Sequence, residues 1–135
     1  MHVLVTESRF GDADQLVERL EGTGCRVSTC HGQLGLCRVL SPGNRCPLDE
    51  RGPVDLVVDV RNGCEELSAR EYGVVCAVRA NVPLLIVGTD PDVPAVVPAG
   101  LQQWAQAVSA EQLLDACRDH IASRREAEEN EGRDR

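Results

Sequence analysis

The chain has 135 residues, 42% of them apolar and 27% charged, which is the size and balance of one domain able to bury a working core. Its formal net charge is −8, a sign that repels phosphate backbones and anionic lipid surfaces and so argues against nucleic-acid and membrane partners. All 14 basic residues are Arg, so Schiff-base chemistry and a lysine-dependent phosphate loop are excluded.

The chain begins with a short aliphatic run, His2 to Thr6, of the kind buried on both faces of a parallel sheet. No basic stretch and longer apolar run precede it, and no segment is apolar enough to span a bilayer, so a cytoplasmic location is expected. From Asp12 the period changes to that of a helix, with Ala13, Leu16, Val17 and Leu20 on one face. Asp12 with Gln15 predicts its cap, and Gly22 with Gly24 predicts its end. A second strand is expected over Cys25 to Thr29.

Residues 30–53 break every periodicity, with Gly32, Gly35, Pro42, Gly43, Pro47, Gly52 and Pro53 spread through them. The helix that should follow the second strand is therefore expected to be short or replaced by a Cys-, Gly- and Pro-rich loop. Val54 to Val60 restores the strand signal and predicts the central strand. Ser68-Ala69-Arg70-Glu71 is a capping-box pattern, opening a helix with Tyr72, Val75, Cys76 and Val78 on its apolar face. Asn81 and Pro83 stop it, and Pro83 to Val87 predicts a fourth strand. Pro91, Pro94 and Pro98 leave at most one helical turn before a last strand at Trp104 to Val108.

Ser109-Ala110-Glu111-Gln112 is a second capping box, followed by Leu113, Leu114, Cys117 and Ile121 at helical spacing. His120 is expected near the end of this helix, where the helix dipole favours its positive charge. After Ser123 the residues are almost wholly charged, which predicts a flexible, solvated tail over 123–135 behind one domain over 1–122. An all-Arg, Ala- and Val-rich composition fits a high-GC bacterial genome.

Strands alternating with helices need crossover connections, which force a parallel sheet with helices on both faces. The expectation is a three-layer α/β/α sandwich with five strands in the order 2-1-3-4-5. Ligands of such sheets collect beyond the carboxyl ends of the strands. Here those ends carry Thr6-Glu7-Ser8, Thr29-Cys30-His31, Asp59-Val60-Arg61, Gly88-Thr89-Asp90 and Val108-Ser109.

Val54-Asp55-Leu56-Val57-Val58-Asp59-Val60-Arg61-Asn62-Gly63 resembles the strand of response-regulator receiver domains whose terminal Asp accepts a phosphoryl group. The resemblance extends over about residues 1 to 122 and implies a flavodoxin-like fold. It implies Asp59 as the acceptor, Glu7 as one metal-binding acid and Thr89 as the switch hydroxyl, with Arg61 beside them on the same edge. Three departures stand out. The interval between the two acids of the central strand is one residue shorter than in receivers. The acidic pair after the first strand is reduced to Thr6-Glu7, with half the usual charge for magnesium. The receiver Lys after the last strand is replaced by Val108-Ser109. Phosphoryl transfer rests on positioning and charge neutralisation, so a degenerate receiver that binds another protein, without being phosphorylated or acting as an enzyme, is expected. A homodimer is compatible with that reading.

The alternative lies in the loop. Cys25, Cys30, His31, Cys37 and Cys46 fall within 22 residues, and seven Cys in a chain without an export signal should be thiols or metal ligands. Cys25 begins a strand and suits the core, leaving Cys30, His31, Cys37 and Cys46 as the sharper set. Thiolates with imidazole suit zinc, and three or four thiolates suit an iron–sulfur cluster. The gaps of four, six and eight residues match no familiar site. A metal, a disulfide closing about 16 residues for roughly 3 kcal/mol, and plain packing as small hydrophobes all remain open. Cys76 and Cys117 are expected in the core.

Overall fold

The computed structural model describes residues 1–29, 54–62, 67, 69–71, 73–90, 92–93 and 95–133. Among them run β1 (His2–Glu7), α1 (Asp14–Thr23), β2 (Arg26–Thr29), β3 (Leu56–Arg61), a short 3-10 turn (Ala69–Glu71), α2 (Gly73–Arg79), β4 (Leu84–Gly88), β5 (Ala105–Val108) and α3 (Ala110–Arg133). All neighbouring strands pair in parallel, in the order β2-β1-β3-β4-β5 that the sequence predicts. The 30–53 loop lies outside the described residues. No helix among the described residues is long and apolar enough to cross a membrane.

β1, β3 and β4 are the inner strands, and the near-continuous aliphatic sequences of β1 and β3 follow from burial on both faces. Alternation divides the core in two. Val3, Val5, Leu56, Val58 and Val60 pack with Leu16 and Leu20 of α1 and with Leu113, Leu114 and Cys117 of α3. Leu4, Val57 and Ile86 pack with Val74 and Ala77 of α2 and with Leu101 from the β4–β5 connection. That connection contains no helix among its described residues, as its prolines predict. At the opposite, amino end of the sheet, His2 is buried, its Nε2 lies 2.7 Å from Ser28 Oγ, and its backbone N–H donates to Asp55 Oδ2.

Helix ends show local chemistry at work. Gly24 closes α1 at φ 103°, its N–H donating to Glu21 O, while the Cys25 N–H donates to Leu20 O at 3.1 Å. Asn81, at φ 57°, closes α2 in the same way, with its N–H on Val78 O and the Val82 N–H on Ala77 O. The capping box of α3 forms as expected: the Ser109 N–H donates to Gln112 Oε1 and the Gln112 N–H to Ser109 Oγ.

Four expectations are corrected. Asp12 does not cap α1; the cap position is Ala13, without a side-chain cap bond, and Glu7 supplies the acceptors instead. Cys76 is exposed, because Val74 and Ala77 turn inward on a helix of only seven residues. The charged segment after Ser123 continues α3 as helix to Arg133. Arg, Ala and Glu are strong helix formers, and Arg124 and Arg125 stand four residues before Glu128 and Glu129, a spacing that favours helix. The described side chains beyond Ile121 are exposed, in keeping with the expected solvation. His120 consequently lies in mid-helix, away from the C-terminal dipole.

Two neighbouring glycines separate backbone from space. Gly24 needs a left-handed conformation, whereas Gly22 lies inside α1 with nothing within 4 Å of an added Cβ. Urea unfolding should show Gly24→Ala destabilised by about 1 kcal/mol and Gly22→Ala stabilised by about 0.5–1 kcal/mol.

Candidate functional site

Two features occupy the carboxyl half of the sheet, one on each face. The first is a buried polar cluster. Asp59 and Arg61 alternate with Val60 along β3, and both are buried, with Asp59 at 0% exposure and Arg61 at 1%. Thr6 is in register with Asp59 and donates its hydroxyl to Asp59 Oδ1 at 2.7 Å. Glu71, also at 0% exposure, comes from the 3-10 turn; its carboxyl stands beside that of Asp59 and lies 3.5 Å from Arg61 Nε.

Three ionisable groups in one dry place must sum to little net charge. Burial pushes the Asp59 pKa up to about 8, with the hydrogen bond and charge of Glu71 acting in the same direction and Thr6 and Arg61 opposing. Burial and Glu71 together thus favour the protonated form of Asp59, which can donate to the Glu71 carboxyl lying against the Arg61 guanidinium.

The expected strand-end residues part company here. Asp59 is followed by two more strand residues and lies inside the sheet, locked from both sides. Glu7 is half-buried, and its two carboxylate oxygens accept from the Gly11 and Ala13 N–H groups at 3.2 and 3.0 Å, with Arg70 at 3.9 Å. It acts as the anion for the start of α1. Thr89 is exposed and stands on the opposite side of the edge, in the second feature. The magnesium site that a receiver implies does not fit these residues. Glu7 is committed to backbone donors, and Asp59 is neutral, enclosed and hydrogen-bonded, whereas magnesium needs ionised oxygens open to it and to water.

The second feature is a cavity of about 590 Å³ between α1 and α3, over the strand ends. Its floor follows from register: Val60 pairs with Val87, and Val87 with Val108, giving a row of three valines across β3, β4 and β5. Leu16 supplies one wall, and Ser109 and Gln112 of the α3 capping box line another. The segment after β4 folds back as a roof, close enough that a Cβ on Gly88 would meet Val93 O at 3.0 Å. Arg19 and Glu111 join α1 to α3 at 2.7 Å across the exposed rim, and the Arg19 guanidinium holds the Glu111 carboxyl below its ordinary pKa. Sequence reading missed this cavity, because an unfilled space between two amphipathic helices leaves no trace in either helix's pattern. It also missed Glu71, whose signal was two charges in an otherwise aliphatic strand that required a partner.

Cys30, His31, Cys37 and Cys46 lie outside the described residues, as does Cys64. Among the described residues no group of three His, Cys, Asp or Glu is arranged to hold a metal ion. Cys25 and Cys117 are buried together in the α1–α3 core, and burial followed by the neighbouring Cys25 pushes the Cys117 thiol up to about 12. The chain matches no protein-family profile, no curated protein and no solved structure.

Folded Asp59 keeps its proton to about pH 8, while the unfolded carboxyl releases it near the ordinary 3.8. The stability that Asp59 contributes is complete below about pH 4 and is lost as pH rises through 8. Asp59→Asn keeps the neutral form, accepting from Thr6 and donating to Glu71. Its thermal midpoint should exceed the parent's at pH 8 by on the order of 5 °C, with the difference shrinking towards pH 4. Timed alkylation followed by peptide mapping should find Cys76 modified in the native protein, and Cys25 and Cys117 only after unfolding.

Proposed function

We propose that the chain is a non-enzymatic regulatory module with a receiver-like fold, working by reversible binding at the carboxyl edge of its sheet and not by phosphorylation. The observation that carries this reading is the complete burial of Asp59. A phosphoryl acceptor must be ionised, solvent-reached and beside a cation that neutralises the incoming charge. Asp59 is wholly buried, bonded to Thr6, pushed towards its protonated form by burial and by the neighbouring Glu71 carboxyl, and beside an Arg61 that is itself paired with Glu71. The absence of any Lys from the chain points the same way.

Binding is supported by what the edge does offer. Val93 is 43% exposed over the cavity, and Phe10, away from its lining, is 61% exposed with the Arg70 guanidinium 5.2 Å from its ring centre. Apolar side chains left in water beside a cavity are what a partner surface requires. In this reading the buried cluster is structural, holding β1, β3 and the 3-10 turn in place beneath the edge.

Incubation with acetyl phosphate and magnesium, followed by intact-mass measurement, should give no phosphoryl adduct. A stoichiometric adduct that disappears in Asp59→Asn would overturn the proposal, because it would require the cluster to open and Asp59 to ionise.

A further inference from the structure

The polar groups around the α1–α3 cavity are largely tied to the protein itself. Arg19 and Glu111 hold each other at 2.7 Å across the rim. Asp90 Oδ1 accepts the Asp92 N–H at 2.8 Å in the exposed turn after β4. The Ser109 and Gln112 side chains are engaged in the capping box of α3. Asp12 Oδ2 is enclosed by protein, so the cavity does not reach it.

What the cavity presents to a ligand is apolar. Val93 stands over it at 43% exposure, Ala107 is exposed, and Ala95 and Val108 are half-buried, opposite the Leu16 wall and above the buried valine row. The turn carrying Val93 is held by its N–H on Asp90 O at 3.2 Å and by the closeness of Val93 O to Gly88, so this wall is formed before any ligand arrives. No aromatic ring is among the described lining residues, so stacking has no part.

Charge separates the ligand classes. An anion would need a free cation, and Arg19, the cation among the described lining residues, is paired with Glu111. A cation would need a carboxylate at the apolar walls, where Glu111 is on Arg19 and Asp90 is turned into its own loop and water. An ion seated here would lose hydration without gaining a partner, whereas an apolar body gains by leaving water. At about 590 Å³ the space is larger than one side chain needs and falls within the range of small-molecule pockets.

We propose that this cavity binds a neutral small molecule with an aliphatic body, seated against Leu16, Val93, Ala95, Ala107 and Val108. The inference rests on the binding role of the carboxyl edge and names the class of ligand that edge takes.

The test uses the full chain and three probes sharing one rigid aliphatic body: adamantanol, adamantylamine and adamantane carboxylate. Isotope-edited amide spectra should show adamantanol shifting Leu16, Val93 and Val108, with affinity about tenfold tighter than either ion. Ala107→Trp, which fills the space from an exposed position, should abolish binding. Val93→Asp, which sets a charge over the cavity from another exposed position, should weaken adamantanol about tenfold while leaving the rest of the spectrum in place. A short leucine-rich peptide should bind more weakly than adamantanol, and tighter binding by the peptide would assign the cavity to a partner protein and overturn the inference. Equal affinity for the three probes, preference for either ion, shifts that lie elsewhere or are missing, or binding unchanged in both variants would each overturn it as well. Those results leave the burial of Asp59 untouched, and a phosphoryl adduct at Asp59 would defeat the proposed function without altering the probe affinities, so the two failures are distinguishable.

Discussion

A parallel strand covered on both faces has no room for an unbalanced charge, and β3 carries two ionisable residues in such a place. Asp59 and Arg61 point to one face, at 0% and 1% exposure. Water cannot solvate them, so the chain must bring its own partners: a hydroxyl from β1, and a carboxyl from a turn that begins beyond the described end of β3. Glu71 could not balance Arg61 while Asp59 was also ionised without leaving net negative charge in a dry core. A proton on Asp59 resolves this, and its raised pKa is the thermodynamic expression of that compromise. The 3-10 turn is thereby fixed, and α2, which starts two residues after Glu71, takes its position from it.

This constraint decides what the carboxyl edge can do. An acid held as a neutral hydrogen-bond donor is unavailable as a nucleophile or a metal ligand. Glu7, the nearest other acid on β1, has a different obligation. The turn before α1 leaves backbone N–H groups pointing back at the sheet, and Glu7 accepts two of them where Asp12 was expected to cap. With both acids engaged in holding the fold, the open part of this edge is the opposite face, where the cavity lies between α1 and α3.

The elements most legible in the sequence were those governed by short-range rules. The five strands, the capping box at Ser109 and the stops at Gly24 and Asn81 all depend on residues within a few positions of one another, and so does the proline-broken β4–β5 connection. Glu71 was read by the same local logic as the reciprocal member of a capping box, and the structure puts its carboxyl in the core beside two residues of β3. That is a long-range electrostatic requirement, visible in the sequence only as an anomaly, an Asp and an Arg flanking Val60. Cys76 failed for a simpler reason. On a helix of seven residues the buried face is narrow, so a one-residue uncertainty in phase exchanges an inward position for an outward one. The charged end of α3 has no buried face, yet it is helical, because intrinsic propensity and charge spacing favour helix there.

Both features of the edge meet in three consecutive residues. Asp59 and Arg61 face the polar cluster, and Val60 between them faces the cavity as the first valine of its floor. A residue flanked by two locked neighbours has little freedom to move along or across the sheet. The cluster therefore holds the cavity floor from behind, through the backbone of β3 and without contacting anything bound in front. Hydrogen bonding on one face and a preformed apolar surface on the other are consequences of the same strand. Asp59 and Arg61 tie β3 to β1 and to the 3-10 turn at one register, because a slip of one residue would carry both to the opposite face.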